Sequence, residues 1–267
     1  MALDLDAFDG QGFCIVRQAF APGRVAALRA AVDALVERAA GGEPELEWID
    51  RRRRLPQRVS HLLHPDKYDP ALGEWLAEDL AGPLEAFVGG PPRHSLFGML
   101  AGGGGQAYRQ RWHRDIARPG DAGEEVFLKR FHGRCVQFNA PLLAGDVFLE
   151  VVPASHRRAS TAAEIEASKE EGATMPGGVA VALEPGDIVY YNANLWHRGW
   201  NPRGLERRTL HCAFWRASFE VMQHEHGQAD ALGRASHLDA LPAAARLMVQ
   251  RYLDACPGGA PRSLFDL

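Results

Sequence analysis

Hydrophobic residues recur with helical spacing in the first third of the chain, fall into short strand-like runs through the middle, and return to helical spacing near the end. Residues 12–16 form a short apolar run after a glycine and predict a strand. Between 22 and about 40, Val25, Leu28, Val32 and Leu35 repeat at helical spacing; Pro22 suits a first turn and Gly41-Gly42 a stop. The stretch 43–65 is charged and irregular and contains four consecutive arginines at 51–54. A second helix is predicted over 70–88, burying Leu72, Trp75, Leu76, Leu80 and Leu84.

From 95 to 215 the pattern changes to short runs rich in Val, Phe, Tyr and Ile, separated by Gly, Pro and Asp. Runs at 135–138, 147–152, 179–183, 187–191 and 208–215 predict strands, and the polar, helix-prone stretch 159–171 reads as a surface insertion. Leu247, Met248 and Leu253 predict a last amphipathic helix over 241–255, before Pro257-Gly258-Gly259. Helices, then turn-linked strands, then a helix fit a mainly β fold: a double-sheet jelly roll, cupin-like, buttressed by helices. The expected organisation is one domain over 1–267, with a helical part to about 94, a jelly-roll core at about 95–219 and a C-terminal helix at about 240–256.

A net charge of -4 removes nucleic acid as an expected partner, because gripping a phosphate backbone needs a concentrated basic surface. No apolar stretch approaches the roughly 20 residues that span a bilayer. The acidic start also lacks the basic and apolar regions of a signal peptide, so no membrane partner and a cytoplasmic location are expected. Cys14, Cys135, Cys212 and Cys256 are widely spaced, which indicates neither a disulfide framework nor a zinc knuckle. The sequence carries no signal for oligomeric state.

The chemistry sits among the strands. In Trp112-His113-Arg114-Asp115, strand alternation puts the imidazole and the carboxylate on one face. His197 follows the run at 187–191. Two imidazoles and one carboxylate form the facial triad that holds Fe(II) with positions left open for a cosubstrate and O2, whereas structural zinc closes its shell with four protein ligands. Arg207, at the start of the next strand, can clamp a distal carboxylate bidentately while the same molecule chelates the metal with its other end; 2-oxoglutarate has that shape.

With these residues in place, the chain resembles the phytanoyl-CoA dioxygenase-like branch of the Fe(II)/2-oxoglutarate oxygenases. The resemblance runs from Asp9-Gly10-Gln11-Gly12-Phe13 through His113-x-Asp115 to Arg207-Arg208. It is reinforced by Val151-Val152-Pro153-Ala154-Ser155-His156, similar to the family's Pro-Gly-Ser-His strand end, and by Pro185-Gly186-Asp187, similar to the turn before the second metal histidine. Ala154 stands where the family usually has Gly, Ala144-Gly145-Asp146 replaces an Asn-Gly turn, and the loop from His197 to Asn201 is one residue short. That shortening leaves the clamp between Arg207 and Arg208; matching on Asn201 and the paired arginines favours Arg207, with Thr209 as a second donor to the carboxylate.

The resemblance implies oxidative decarboxylation of 2-oxoglutarate by O2 to succinate and CO2, coupled to hydroxylation of a small-molecule substrate. Asp115 stands where related halogenases carry a small residue and bind halide, which implies no halogenation. Desaturation, epimerisation or ring formation are alternative outcomes of the same chemistry. A cupin-like isomerase, hydrolase or binding module is the alternative without 2-oxoglutarate, and it gives no reason for Arg207.

Other features have two readings each. Gln137 and Asn139 either point into the barrel toward cosubstrate or substrate, or face solvent. Trp112, Trp196 and Trp200 either wall the substrate pocket or belong to the core. The glycines at 102–105 suit a hinge or lid rather than a phosphate loop. The arginines at 51–54, with Arg58, read as a solvated charge run in preference to an attractor of anionic substrate. His224-Glu225-His226 is expected at the surface, and His156 and His211 in structural roles.

Overall fold

A computed structural model of the chain describes residues 3–40, 47–50, 55–256 and 260–263. The arginines at 51–54 and the Gly41-Gly42 stop lie outside the described residues. In chain order come α1 (Leu5–Gln11), β1 (Phe13–Val16), α2 (Pro22–Ala40), β2 (Glu47–Asp50), β3 (Leu55–Val59), α3 (Pro70–Trp75), a π-helical turn (Leu76–Leu80) and α4 (Ala81–Val88). They are followed by β4 (Pro92–Gly102), β5 (Tyr108–Arg109), α5 (Glu124–Phe131), β6 (Cys135–Pro141), β7 (Asp146–Val151), α6 (Ala162–Ser168) and β8 (Val179–Leu183). The chain continues through β9 (Ile188–Tyr191), β10 (His197–Asn201), β11 (Arg207–Arg216), α7 (Ala229–Leu232), α8 (Ala235–Ala240) and α9 (Ala243–Asp254).

The strands form two antiparallel sheets, seven-stranded in the order β1-β9-β6-β11-β4-β3-β2 and four-stranded in the order β5-β10-β7-β8. They face each other as a jelly roll with open edges, the fold class that the hydrophobic pattern predicts. No helix among the described residues is long and apolar enough to cross a membrane.

The two sheets differ in what covers them, and their sequences differ accordingly. The strands β4, β6, β9 and β11 of the large sheet are buried on both faces. Along β11, Leu210, Cys212 and Phe214 join the core under the helices, while Arg207, Thr209, His211, Ala213 and Trp215 border the space between the sheets. Strands covered on both sides lose the apolar–polar alternation of a half-solvated strand, which is why β6 is buried throughout. The small sheet has one solvated face, and β8 alternates more nearly between exposed and buried positions.

Ring packing ties the helical layer to the large sheet. Trp75 meets Phe97 and Phe138 edge-on, with centroids 6.1 and 5.8 Å apart, and Phe87 stacks on Tyr190 at 4.4 Å. Such pairs add roughly 0.5–1.5 kcal/mol each beyond the area they bury.

The helix predicted over 70–88 has the expected buried side but not a uniform course. Asp69 caps its start, its carboxylate accepting from the Ala71 amide at 2.9 Å. The widened turn at Leu76–Leu80 is followed by Ala81-Gly82-Pro83. Pro83 has no N–H for the Asp79 carbonyl, and its ring would crowd that carbonyl in a regular helix. The segment 43–65, read as irregular, contains β2 and β3, and the chain also forms α1 and α5, which no periodicity announced. These elements are too short for a period to show.

The N-terminal segment is fastened beside the region that carries the chemistry. The Ala154 amide donates to the Gln11 carbonyl at 2.7 Å and the Asn192 amide to the Gly12 carbonyl at 2.8 Å. Gly12 takes a left-handed φ of +83°, and a Cβ there would stand 2.5 Å from His156 Nδ1 and 2.7 Å from Leu195 Cδ1. Gly12→Ala is therefore expected to cost about 2–4 kcal/mol, the sum of left-handed strain and overpacking. A urea-unfolding midpoint close to that of the unaltered protein would contradict this.

Candidate active site

His113 lies between β5 and α5 on a segment that is zipped to β10. The amides and carbonyls of His113 and His197 exchange two hydrogen bonds, each 3.0 Å, in an isolated antiparallel bridge, and the Asp115 amide donates to the Ala193 carbonyl at 3.0 Å. This register sends the side chains of 113, 115 and 197 to one face. One ligand atom from each lies within 4.8 Å of the others. His113 Nε2 is 3.4 Å and His197 Nε2 3.5 Å from the carboxylate oxygens of Asp115.

The imidazoles are oriented from behind. Nδ1 of His113 donates to the Arg111 carbonyl and Nδ1 of His197 to the Leu195 carbonyl, both at 2.8 Å. A carbonyl can only accept, so each Nδ1 carries a proton and each Nε2 points toward Asp115, where it can bind a metal through its lone pair once deprotonated. Burial pushes His197 down to about 4, against the pull of the Asp115 carboxylate. Burial alone would raise the Asp115 carboxyl, but His197, His113 and the Gln137 amide hold it below the ordinary carboxylate range. Two lone pairs and a carboxylate converging on one point, half open to a cavity, suit a divalent cation with free coordination positions.

Arg114, between the two acceptors of its segment, turns the opposite way and is buried. Its guanidinium donates to the Ser155 carbonyl at 2.8 Å and to the Asn194 carbonyl, pairs with Glu124 at 3.1 Å, and stacks over Trp196 at 5.1 Å. It thereby ties the His113 segment to the turn of Ser155 and to the loop before His197. Asn194 completes the joint by accepting from the Ala117 amide at 2.9 Å. Sequence reasoning missed Arg114 and Glu124. The only sign was an arginine alternating with two acceptors in a segment too short to assign.

A cavity of about 550 Å³ opens from this group between the sheets. Gln137 faces inward and its amide donates to Asp115; Asn139 also faces inward and is hydrogen-bonded to His211 Nδ1 at 2.8 Å. Arg207 lies in the cavity wall, 2% exposed, its guanidinium 5.2 Å from the centre of the Phe148 ring. Its Nε donates to Thr209 Oγ1 at 3.0 Å and Asp146 Oδ2 at 3.4 Å, while both terminal nitrogens are buried without a hydrogen-bond partner. A buried guanidinium left unsatisfied is costly, so this position asks for a two-oxygen acceptor, and a carboxylate supplies one.

Alternation along β11 sends Arg208 to the other face, where Nε donates to Asp33 of α2 at 2.9 Å. Arg208 is thus outside the cavity. Thr209 is beside Arg207, but its hydroxyl donates to Asp146, so it offers the guanidinium an acceptor rather than offering a carboxylate a donor. The same alternation removes two expected wall residues. Trp112 and Trp200 neighbour inward-facing positions and therefore point outward, where they sandwich the Arg198 guanidinium at 4.7 and 4.1 Å.

Three expectations for single residues are corrected. Glu225 is not at the surface: it is buried, bonded twice to Arg93 at 2.9 and 3.0 Å, and borders the cavity with His224. His211, expected to be only structural, borders the cavity, and burial lowers it to about 3. Arg58 also borders the cavity instead of sitting in a solvated run. The deciding partners of Glu225 and His211, Arg93 on β4 and Asn139 on β6, are on strands far away in sequence. His156 packs at the N-terminal joint, with Nε2 donating to the Asp9 carbonyl at 3.1 Å.

A model of the phytanoyl-CoA dioxygenase (PhyH) family matches residues 8–209. No curated protein matches the sequence. Among solved structures, AviO1 from Streptomyces viridochromogenes Tue57 is similar at 25% identity and TM-score 0.63, over 81% of this chain and 95% of that one. EctD from S. alaskensis with 2-oxoglutarate and 5-hydroxyectoine is similar at 17% identity and TM-score 0.61, over 81% and 76%. The non-heme alpha ketoglutarate dependent carbocyclase SnoK from nogalamycin biosynthesis is similar at 16% identity and TM-score 0.57, over 80% and 83%. At these identities the last two likenesses are likenesses of fold.

Arg114 and Glu124 are matched charges in a dry environment, so Arg114→Met should destabilise the protein by about 3–5 kcal/mol by stranding the carboxylate. Adding Glu124→Gln should restore at least half of the loss in urea unfolding. Equal stability of the single and double variants would show that the pair is not what holds this joint.

Proposed function

The chain belongs to the phytanoyl-CoA dioxygenase (PhyH) family, and on that premise we propose that it hydroxylates a small organic molecule with Fe(II), O2 and 2-oxoglutarate, releasing succinate and CO2. The observation that carries this reading is one cavity with two complementary ends. One end gathers the His113, Asp115 and His197 acceptors; the other holds a buried guanidinium with two unsatisfied nitrogens.

His113, Asp115 and His197 would hold the iron, which with 2-oxoglutarate and O2 supplies the oxidising power for attack on a C–H bond. The remaining work belongs to the chain. Arg207 binds the distal carboxylate of 2-oxoglutarate, the ligand named with EctD, and so fixes which end of that molecule faces the metal ligands. Asp146 and Thr209 hold Arg207 Nε, leaving its two terminal nitrogens for the carboxylate. Gln137 restrains the Asp115 carboxylate, and the two backbone carbonyls behind the imidazoles fix the proton on Nδ1 and aim Nε2 at the metal position. Phe148, Leu149 and Tyr191 line the cavity between the two ends and exclude water from it.

Hydroxylation is the proposed outcome. Desaturation, ring closure and epimerisation use the same residues, and a carbocyclase and an epimerase share the fold. Asp115 supplies a carboxylate at the position a halide would need, so chloride is not transferred. A metalloprotein without 2-oxoglutarate leaves Arg207 unexplained.

His113→Ala is expected to abolish Fe(II)-dependent succinate formation. Arg207→Gln should raise the dissociation constant of 2-oxoglutarate by about 100-fold, the loss of roughly 3 kcal/mol of charge-assisted bonding, with metal affinity unchanged in calorimetric titration. Unaltered 2-oxoglutarate affinity in Arg207→Gln would remove the basis of the reading. Mass spectrometry of products formed in excess chloride should find oxygenated and no chlorinated species.

A further inference from the structure

The cavity is larger than one molecule of 2-oxoglutarate needs, and its charged side chains are not equally matched. Arg207 is paired with Asp146 and Glu225 with Arg93, while Asp115 belongs to the candidate metal group. Arg58 also borders the cavity and has no ion-pair partner among the described residues. It is on β3 beside Leu100, which pairs on its other side with Thr209. It is half-buried and borders the cavity together with His211 of β11 and Tyr191 of β9, near enough for its charge to act on both.

The groups around it suit an anion bound at one end. His211 uses Nδ1 to bond Asn139 and is neutral, which leaves Nε2 as an acceptor. Leu96 and Leu100 of β4 lie on this side of the wall, and Ile116 and Trp215 line the cavity farther along, beside Cys135. A cation with no partner in a partly dry cavity pays for its desolvation unless a ligand matches it. The Arg207 end is already fitted to the cosubstrate, so Arg58 is the charge left for the other ligand.

Resting on the oxygenase reading above, we propose that the primary substrate is a small organic oxyanion, a carboxylate or a phosphate monoester, held by Arg58 while its carbon skeleton lies between Arg58 and the metal ligands. The substrate also carries a hydroxyl or N–H that donates to His211 Nε2.

The test uses the full chain loaded with Co(II) and saturating 2-oxoglutarate, so that probe anions cannot occupy the Arg207 end. Hexanoate, 3-phenylpropanoate and phenyl phosphate are titrated calorimetrically against hexanamide, 3-phenylpropanamide and phenol. At least one anion is expected to bind about tenfold tighter than its neutral counterpart, to lose that advantage in Arg58→Gln and to recover part of it in Arg58→Lys. Unchanged 2-oxoglutarate affinity in Arg58→Gln would show that the variant is folded and that Arg58 does not serve the cosubstrate. Equal binding of anions and neutral counterparts, anion binding insensitive to Arg58→Gln, or no anion binding at about 10 mM overturns the proposal. If 2-oxoglutarate itself fails to bind the Co(II)-loaded protein, the oxygenase reading falls as well. If 2-oxoglutarate binds and the anions do not, only the substrate class is wrong. A carboxylate preferred over phenyl phosphate, or the reverse, identifies which oxyanion it is.

Discussion

The antiparallel bridge between His113 and His197 is the constraint on which the candidate active site depends. Two segments far apart in sequence exchange a pair of backbone hydrogen bonds, and that register alone decides that three acceptor side chains meet. Backbone pairing of this kind is directional and obligatory where water is excluded. A slip by one residue of the His113 segment would turn His113 and Asp115 away from the cavity while His197, held in register by β7, stayed. The buried Arg114, anchored on Glu124 and on two carbonyls of the neighbouring turns, opposes such a slip. The residue between the two acceptors thus holds in place what its neighbours present.

The same alternation sorts polar residues in the large sheet. Because helices cover one face and the second sheet the other, its strands contain few solvent-facing positions, and polar side chains on them are directed at one another or at the cavity. Gln137, Asn139, Thr209 and His211 all lie on the cavity face, and each has a hydrogen-bond partner there or beside it. Arg207 has partners for Nε only. Two buried donor nitrogens on one guanidinium, both without a partner, mark a ligand's place in this wall.

Aromatic residues show the cost of reading a pocket from sequence proximity. Trp112 and Trp200 are next to residues that face the cavity, and for that reason they face away from it. They clamp Arg198, which is paired with Glu150 at 2.7 Å, and Trp112 and Arg198 both donate to the Ala173 carbonyl at 3.2 Å, fastening the loop after α6. Phe148 and Tyr191, which do border the cavity, stand in ordinary apolar strand runs that resemble core.

The chain's periodicity determined the helix at 22–40, the buried side of the helix at 70–88, the strand runs of the middle region and hence the jelly roll, because each of these depends on residues near one another. The spacing of His113, Asp115 and His197, with Arg207 at the start of a strand, was likewise readable, since alternation along a strand is a local rule. Tertiary structure alone decided which of Arg207 and Arg208 faces the cavity, that Glu225 pairs with Arg93, that His211 and Arg58 border the cavity, and that Asp146 faces Arg207. Those facts depend on register between strands distant in sequence, and register is set by the packing of whole sheets rather than by any local pattern.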